Sequence, residues 1–490
     1  MLQRRHRRSI IAGILSPLIL AACTTPITKE GDAPAGKGYV TPWIPPAFTK
    51  APDPAAANAV AAEWWRAFNN EELNRFVGQA LTYNYDLKAA VYRVAQTGAQ
   101  AEVVRSAQYP TLDAVVGYQS QAPFNGIGTA ATTADWTAQP VYQAGLRAGY
   151  EVDLWGKKGF NTDTALQKAV SSSYARDALA ITLTASVVTA YFTAVSLTER
   201  IAVAKRNLAG IKEVQHGISE RVRRGDGTAI DLGQQTILVR NTEANVASLV
   251  NLREQQLTLL AQLVGGVPGR LSIEATSMSA FTPIPLQPGL PSDLLCRRPD
   301  IRAAEADLLG AQADLYAARA AFLPTFPLTA QGGIGSYYLS TITSPQSLFF
   351  NITAQIVQNI FDAGRRKAEE QAASARNFEL LEIYAKSVQT AMRDVEDALT
   401  AIKQNNERYA SLGEARVTAQ KLESDTQKLL EWGAIDFLQL LTIQQTVLNS
   451  EDTFITAQND RLKASIDLVK ALGGGVIPGD AACGPAAANG

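Results

Sequence analysis

The sequence is poor in the side chains that form metal and acid-base sites. Its 490 residues include two histidines and three cysteines. Cys23, Cys296 and Cys483 are too far apart for a short zinc-ligand pair. His6 lies in a leader-like segment, and His216 lies in a long helical pattern, where a packing or solvent-facing role is far more common than catalysis. The sequence therefore predicts no metal site, no cofactor and no histidine-based catalysis.

An excess of charge of either sign is also lacking. The chain has 45 basic and 46 acidic residues, and no stretch forms a basic patch. Because nucleic-acid binding needs such a patch, nucleic acid is not an expected partner. Residues 1–22 hold four arginines and no acid, so their removal would leave a modest acidic excess.

Proline is absent between Gly156 and Gly225, where the pattern predicts one uninterrupted helix. Apolar residues recur there at the spacing of a heptad. They are Ala180, Leu183, Val187, Ala190, Ala194, Leu197, Ile201, Ala204, Leu208, Ile211, Ile218 and Val222. At about 1.5 Å per residue this helix would reach roughly 100 Å, far more than the helix of an ordinary domain. We therefore expect it to span a distance.

The same pattern returns in the second half of the chain. The segment from Gly364 to Gly433 is as long as the segment from Gly156 to Gly225, and it repeats the apolar register. Upstream, the interval from Asp86 to Pro110 equals the interval from Asp300 to Pro324. The sequence distance from Asp86 to Asp300 is six residues longer than the distance from Gly156 to Gly364. The difference arises in the region between the upstream interval and the long segment of each half. The chain is therefore a duplication.

The first 22 residues have the pattern of a secretory signal. Four arginines precede an apolar run from Ile10 to Leu20, and two alanines precede Cys23. This run is too short for a spanning helix. The sequence from Leu20 to Cys23 resembles a bacterial lipobox, which would make Cys23 the lipidated mature N-terminus. The alternative is an ordinary signal with an incidental cysteine. Thr24 rather than an aspartate follows Cys23, so the resemblance also implies sorting to the outer membrane.

Two segments, residues 142–152 and 350–356, alternate between apolar and polar with the period of a strand. The alternation fits a strand between lipid and water, or an amphipathic hairpin of a soluble protein. Aromatic residues near the strand ends, such as Tyr118 and Trp136, favour a barrel wall when taken with the signal peptide. The residues predicted to face the lumen are Gln143, Arg147, Glu151, Asn351, Thr353 and Gln355.

Several motifs together resemble the TolC family of outer-membrane efflux proteins, in its lipoprotein branch. They are the run 290–301 with its Arg-Pro-Asp motif, the tryptophans at 64–65, residues 84–87, the turn at 361–366 and the lipobox. The resemblance covers nearly the whole mature chain. Four predicted strands cannot close a barrel, because about eight are needed. Several copies must therefore share one barrel.

The resemblance supplies the number of copies and the function. It implies a homotrimer with a 12-stranded transmembrane β-barrel, continued by a long α-helical barrel, with two repeats per chain. Such a protein is a passive exit duct for drugs or other small molecules, anchored to outer-membrane lipid and extending into the periplasm. Its partners would be a periplasmic adaptor and an inner-membrane pump. The alternatives are the outer-membrane component of type I protein secretion and a lipid-anchored periplasmic adaptor. An enzyme is disfavoured by the lack of a catalytic constellation.

The helix reversals would lie at the end farthest from the barrel and would dock on the pump. Candidate residues of this tip and gate are Arg224, Gly225, Asp226, Asp231, Trp432, Gly433 and Asp436. A threefold ring of Asp436 would favour cations, and arginine-aspartate links could hold the tip shut. The alternative is that Asp436 caps the helix that follows Gly433.

The predicted organisation has five parts. They are a signal peptide at 1–22, a lipidated tether at 23–60, a first repeat at 61–275 with a β-hairpin at about 111–153 and a helical turn at 225, a second repeat at 276–472 with a β-hairpin at about 325–361 and a turn at 433, and a flexible tail at 473–490. Cys296 has no evident partner, so we expect a buried free thiol there.

Overall fold

The computed structural model describes residues 44–45, 47–50, 60–121, 139–286, 288–432, 434–435 and 437–475. The predictions about the signal peptide, Cys23, Gly433 and Asp436 lie outside these residues. In chain order the main elements are α1 (Glu71–Tyr83), α2 (Tyr85–Ser106), β1 (Thr111–Gln121), β2 (Gln139–Val152), α3 (Lys157–Arg224), α4 (Ala229–Leu263), α5 (Leu294–Arg297), α6 (Pro299–Ala320), β3 (Phe326–Ser336), β4 (Leu348–Ala354), α7 (Arg365–Glu431) and α8 (Phe437–Ala471).

The strands form one antiparallel sheet in the order β1-β2-β3-β4. The sheet belongs to a structural unit that includes residues 102–165 and 310–378. Within the described residues β1 and β4 are the edges of this sheet. The second hairpin is shorter than the sequence predicts, because β4 ends at Ala354 and only an isolated bridge joins Thr325 to Val357. Gln355 and Ile356 therefore follow the strand instead of belonging to it.

The long helices belong largely to a second unit, which includes residues 166–309 and 379–475. Helix α3 runs without interruption for 68 residues and α7 for 67 residues. The helices α4 and α8, which follow them, are both 35 residues long. The matched lengths are those expected of a duplication, and the prediction of an uninterrupted helix between Gly156 and Gly225 is confirmed.

In the middle of α3, residues outside the predicted apolar stripe are buried as well. Tyr191 and Phe192 lie off that stripe, yet both are fully buried. The ring of Phe192 lies 4.8 Å from that of Phe68 and 4.9 Å from that of Phe281, measured between centroids. An apolar stretch of α3 has a mean hydropathy of 1.8, and 61% of it is buried inside the protein. Its apolarity is therefore that of a core helix.

The expectation of a free thiol at Cys296 is wrong. Cys296 lies in the short helix α5 and is disulfide-bonded. Its partner lies outside the described residues. Sequence spacing gave no sign of this bond, because a disulfide depends on the distance between two α-carbons in the folded chain and not on their separation in sequence.

The ordered chain continues past the predicted start of the tail. Gly473 and Gly474 are buried, and both have positive φ angles, of 92° and 64°. A Cβ atom at Gly473 would lie 2.6 Å from the carbonyl oxygen of Arg297. These glycines end α8 in the left-handed conformation that commonly closes a helix, and their backbone packs against neighbouring chain.

Candidate functional site

The pairing register places the alternating side chains of all four strands on two different faces. One face is apolar except for Ser120 and Ser336. It carries Leu112, Ala114, Val116, Tyr118, Pro140, Tyr142, Ala144, Leu146, Ala148, Tyr150, Val152, Phe326, Leu328, Ala330, Gly332, Ile334, Leu348, Phe350, Ile352 and Ala354. Val116 is 86% exposed and Phe350 is 74% exposed. A continuous apolar surface of this kind is unfavourable in water and suits hydrocarbon.

The opposite face holds all the charged residues of the described strands and most of the polar ones, together with glycines and the apolar Val115, Val141 and Phe349. It carries Gln143, Arg147 and Glu151 of β2 and Asn351 and Thr353 of β4, all predicted from the sequence. The Thr353 hydroxyl donates to the Asn351 side-chain oxygen at 3.3 Å. The sixth predicted residue, Gln355, lies one position past β4.

Asp113 and Gln331 also lie on this face and were not among the predicted lumen residues. The register sets Arg147 opposite Asp113 on one side and opposite Gln331 on the other. Alternation within a single strand shows which residues share a face, but it does not show which residues of different strands are neighbours. No signal in the individual strands could have revealed this row.

The charged groups of the polar face form loose pairs. The closest approach of the Arg147 guanidinium to the Asp113 carboxylate is 3.9 Å, and both side chains are more than half exposed. Lys158 at the start of α3 lies 3.8 Å from the Glu151 carboxylate and donates to the Glu151 carbonyl at 3.1 Å. Exposed pairs such as Arg147–Asp113 contribute little to stability. They nevertheless put both signs of charge on one face of the sheet.

Glycine is required where β2 and β3 come closest. Gly145 and Gly333 are partners in the register. A Cβ atom at Gly145 would lie 2.4 Å from the carbonyl oxygen of Gly332, and one at Gly333 would lie 2.3 Å from that of Ala144. Glycine at such positions lets two strands approach closely and lets a sheet bend.

A tight corner joins the sheet to α7 within the motif at residues 361–366. The Arg366 Nε donates to the Asp362 carboxylate at 2.6 Å, and its Nη2 donates to the Asn359 carbonyl at 2.6 Å. The guanidinium also lies over the ring of Phe322, 5.6 Å from its centroid. The hydrogen bond from Arg366 holds the pKa of Asp362 below its usual range. The corner therefore fixes where α7 begins.

The reversal between α3 and α4 is closed by backbone bonds. Gly225 has a φ of 86°, and the Asp226 amide donates to the Arg221 carbonyl at 2.9 Å. The Thr228 hydroxyl then accepts from the Asp231 amide at 3.1 Å and caps α4. Gly225 supplies the left-handed conformation that commonly ends a helix. Asp231 lies in the first turn of α4, where a negative charge is favourable.

An open groove of about 720 Å³ lies beside this reversal. Leu430, near the end of α7, and Ile435, which follows α7, also line the groove. Arg224, the last residue of α3, is exposed, and so is Trp432, to 76%.

The arginine-aspartate links predicted for the tip are not formed within the described part of the protomer. Arg221 reaches the carbonyl oxygen of Asp226, at 3.5 Å, and not its carboxylate. Arg223 pairs with Glu220, one turn earlier on its own helix. Helical spacing puts Arg223 close to Glu220, whereas the turn directs the backbone of Asp226 toward Arg221.

Comparisons with known proteins agree with this architecture. The model of the family described as outer membrane efflux protein matches residues 76–266 and 290–474. The pyoverdine export outer membrane protein OpmQ of Pseudomonas aeruginosa is 32% identical over 416 residues, which are 84% of this chain and 87% of OpmQ. The probable outer membrane lipoprotein SilC of Salmonella typhimurium is 28% identical over 430 residues, which are 86% of this chain and 90% of SilC.

Solved structures give the same result. The outer-membrane channel OprN superposes with a TM-score of 0.82 at 25% identity, covering 90% of this chain and 98% of OprN. The open state of the MtrE outer membrane channel of Neisseria gonorrhoeae superposes with a TM-score of 0.78 at 28% identity, covering 90% of this chain and 98% of MtrE.

These comparisons confirm the predicted fold and function. The fold is a trimeric 12-stranded β-barrel continued by a long α-helical barrel, with four strands and two repeats from each chain. The protein lies in the outer membrane, extends into the periplasm and serves as the exit channel of a tripartite efflux system. The chain belongs to the outer membrane efflux protein family, whose members are channels and not enzymes.

Proposed function

We propose that this protein conducts small molecules passively, with the apolar face of its sheet against lipid and the polar face lining a water-filled lumen. The two-faced sheet is the observation that carries the proposal. Its exposed large apolar side chains lie on one side, and its charged side chains lie on the other. Lipid-facing and lumen-facing residues alternate in the same way in membrane barrels.

The cargo is selected elsewhere than in the duct. The related proteins carry different cargoes in their names: pyoverdine for OpmQ, toluene for TtgI of Pseudomonas putida and cations for CusC of Escherichia coli. Proteins of one architecture that serve such different cargoes fit a wide lumen better than a shaped binding pocket. We infer that the inner-membrane pump chooses drugs or other small molecules and supplies the energy.

The adaptor and pump dock at the helix reversals. The groove beside Gly225, about 720 Å³ in volume, and the exposed Trp432 support this placement. Arg221 and Arg224 add positive charge at the same reversal. Gly225 and Gly433 are proposed as turn formers of the docking tip, and Asp436 is proposed as part of the closed gate.

Lipid at Cys23 anchors the protein to the membrane. The lipobox supports this. Phe48 lies a short stretch after Cys23 and is buried in a core cluster with Leu294 and Val395. The end of the predicted tether is therefore packed in the core of the helical unit. Acyl chains contribute about 0.8 kcal/mol per buried CH2 to such anchoring.

The test is to isolate outer-membrane fractions and measure both assembly and conductance. We expect heat-modifiable trimers that conduct in planar bilayers. A monomeric, non-conducting product in the inner membrane would contradict the proposal. A crosslinker at Thr228 should capture the adaptor or the pump, whereas one at the exposed Glu102 should not. Equal capture at both positions would argue against docking at the reversals.

A further inference from the structure

One row of polar residues crosses the sheet from edge to edge. The register pairs Asp113 with Arg147, Arg147 with Gln331, and Gln331 with Asn351. Because Cα partners project to the same face, all four side chains lie on the polar face. We call these four residues the polar row. Strands of a membrane barrel tilt by about 35–45°, so the polar row runs obliquely around the lumen.

Arg147 of the polar row is flanked by glycines on its own strand. On β2, Arg147 lies between Gly145 and Gly149, the preceding and following residues on the same face. On β3, Gln331 lies between Gly333 and Thr329. Glycine has no side chain, so neighbours on its own strand do not cover the Arg147 guanidinium. The charged group is therefore held out toward the lumen.

Charge on this face is concentrated in β1 and β2. Among the described strand residues of the polar face, the charged ones are Asp113, Arg147 and Glu151. Lys158 compensates Glu151 from α3. Asp113 and Arg147 compensate each other only loosely, at 3.9 Å and with 55% and 57% of their side chains exposed. A trimer carries three of each, so the polar row has no net charge although each charge remains accessible to solutes.

We propose that the Asp113–Arg147 pair sets the ion selectivity of the barrel. Rings of charged side chains control which ions pass through a channel. A row of equal and opposite charges admits solutes of either sign and zwitterions, and the amides of Gln331 and Asn351 offer hydrogen bonds to their polar groups. This inference rests on the proposed function, because it needs the polar face to line a water-filled lumen.

The test is the reversal potential of trimers in planar bilayers under a KCl gradient. Arg147→Gln leaves three uncompensated carboxylates per trimer, so we expect a severalfold shift of the permeability ratio toward potassium. Asp113→Asn leaves three guanidinium groups and should shift the ratio toward chloride. The double variant should return close to wild type. Both shifts should shrink at high salt, because the Debye length falls from about 10 Å at 0.1 M to about 3 Å at 1 M.

Arg105→Gln is the matched control. Arg105 lies in α2, outside the sheet, and forms an exposed pair with Glu102 at 3.4 Å. Its removal should leave the reversal potential unchanged. Conducting trimers in which neither Asp113→Asn nor Arg147→Gln shifts the potential, or in which both shift it the same way, would overturn the role of the pair and leave the duct intact. A wild-type trimer that does not conduct would overturn the duct and the polar row together.

Discussion

Asn84 and Arg298 hold equivalent positions in the two repeats and make equivalent hydrogen bonds. The Asn84 Nδ2 donates to the Leu263 carbonyl at 3.0 Å, and the Arg298 Nη1 donates to the Ala471 carbonyl at 3.1 Å. Asn84 and Arg298 are as far apart in sequence as Asp86 and Asp300. Leu263 and Ala471 are as far apart as Gly156 and Gly364. Each side chain satisfies a carbonyl at the end of α4 or α8 that no helical amide reaches.

At this position the second repeat has a charged side chain, Arg298, where the first repeat has the neutral Asn84. Arg298 is buried and also donates to Asp300 at 2.7 Å and to Asp394 at 3.2 Å. Burial lowers the pKa of Arg298, but hydrogen bonds and charge from both aspartates outweigh it, so the pKa is raised. The guanidinium therefore remains charged where three chain segments meet.

Arg298→Gln should destabilise the protein by about 2–3 kcal/mol, because it removes a buried charged donor from the Ala471 carbonyl and from two carboxylates. Asn84→Ala should cost about 1 kcal/mol, since it removes neutral hydrogen bonds only. The measurement is unfolding of the detergent-solubilised protein. Arg297→Gln is the control, because the Arg297–Asp293 pair is partly exposed and 3.7 Å long. Equal losses for Arg297→Gln and Arg298→Gln would refute the special role of Arg298.

Gly145→Ala and Gly333→Ala should both reduce the fraction of heat-resistant trimers. Each new Cβ would overlap a backbone atom of the neighbouring strand, and no side-chain rotation relieves such an overlap. The strands would have to separate. Gly149→Ala is the control on the same face of β2, because its Cβ would meet the Thr111 hydroxyl at an ordinary 3.4 Å. A trimer yield reduced equally by all three changes would show that glycine is not specifically required at the close approach.

Phe48→Ala should release the end of the tether from the helical unit. A phenylalanine in a core site raises the free energy of unfolding by about 3 kcal/mol relative to alanine. Trypsin should then cleave faster after the exposed Lys50, which mass spectrometry of the folded trimer would show. Thr49→Ala is the control, because Thr49 bonds to Glu396 through its backbone amide, which alanine retains. Unchanged cleavage in Phe48→Ala would mean that other contacts hold the tether.

Asp436→Ala should raise conductance or antibiotic leakage if Asp436 belongs to the gate, because three carboxylates leave the tip of the trimer. Thr228 follows Gly225 at the same interval at which Asp436 follows Gly433, and it caps α4. Thr228→Ala is therefore the control: it should cost about 1 kcal/mol through the lost cap and leave the pore unchanged. An unchanged pore in Asp436→Ala would assign Asp436 to the role of a cap.

Features repeated along the chain were predictable from the sequence. The heptad of α3 persists over many turns, and the alternation in β2 persists over most of the strand, so one irregular position does not hide the period. Contacts between distant segments were not predictable. The burial of Tyr191 depends on Phe76 and Phe281, and the neighbour of Arg147 depends on how β2 pairs with β3. The bond to Cys296 is of the same kind, since folding alone brings its partner close.

The open edges of β1 and β4 make membrane insertion a collective event. In hydrocarbon each unpaired backbone group costs several kcal/mol, so a single chain cannot cross the bilayer with two bare edges. Closure requires three chains to meet, and its rate must rise steeply with their concentration. The lipid tether proposed at Cys23 would confine the chains to a thin layer at the membrane surface, which would raise that local concentration. The anchor would then speed the encounter of the three chains as well as hold the assembled channel at the membrane.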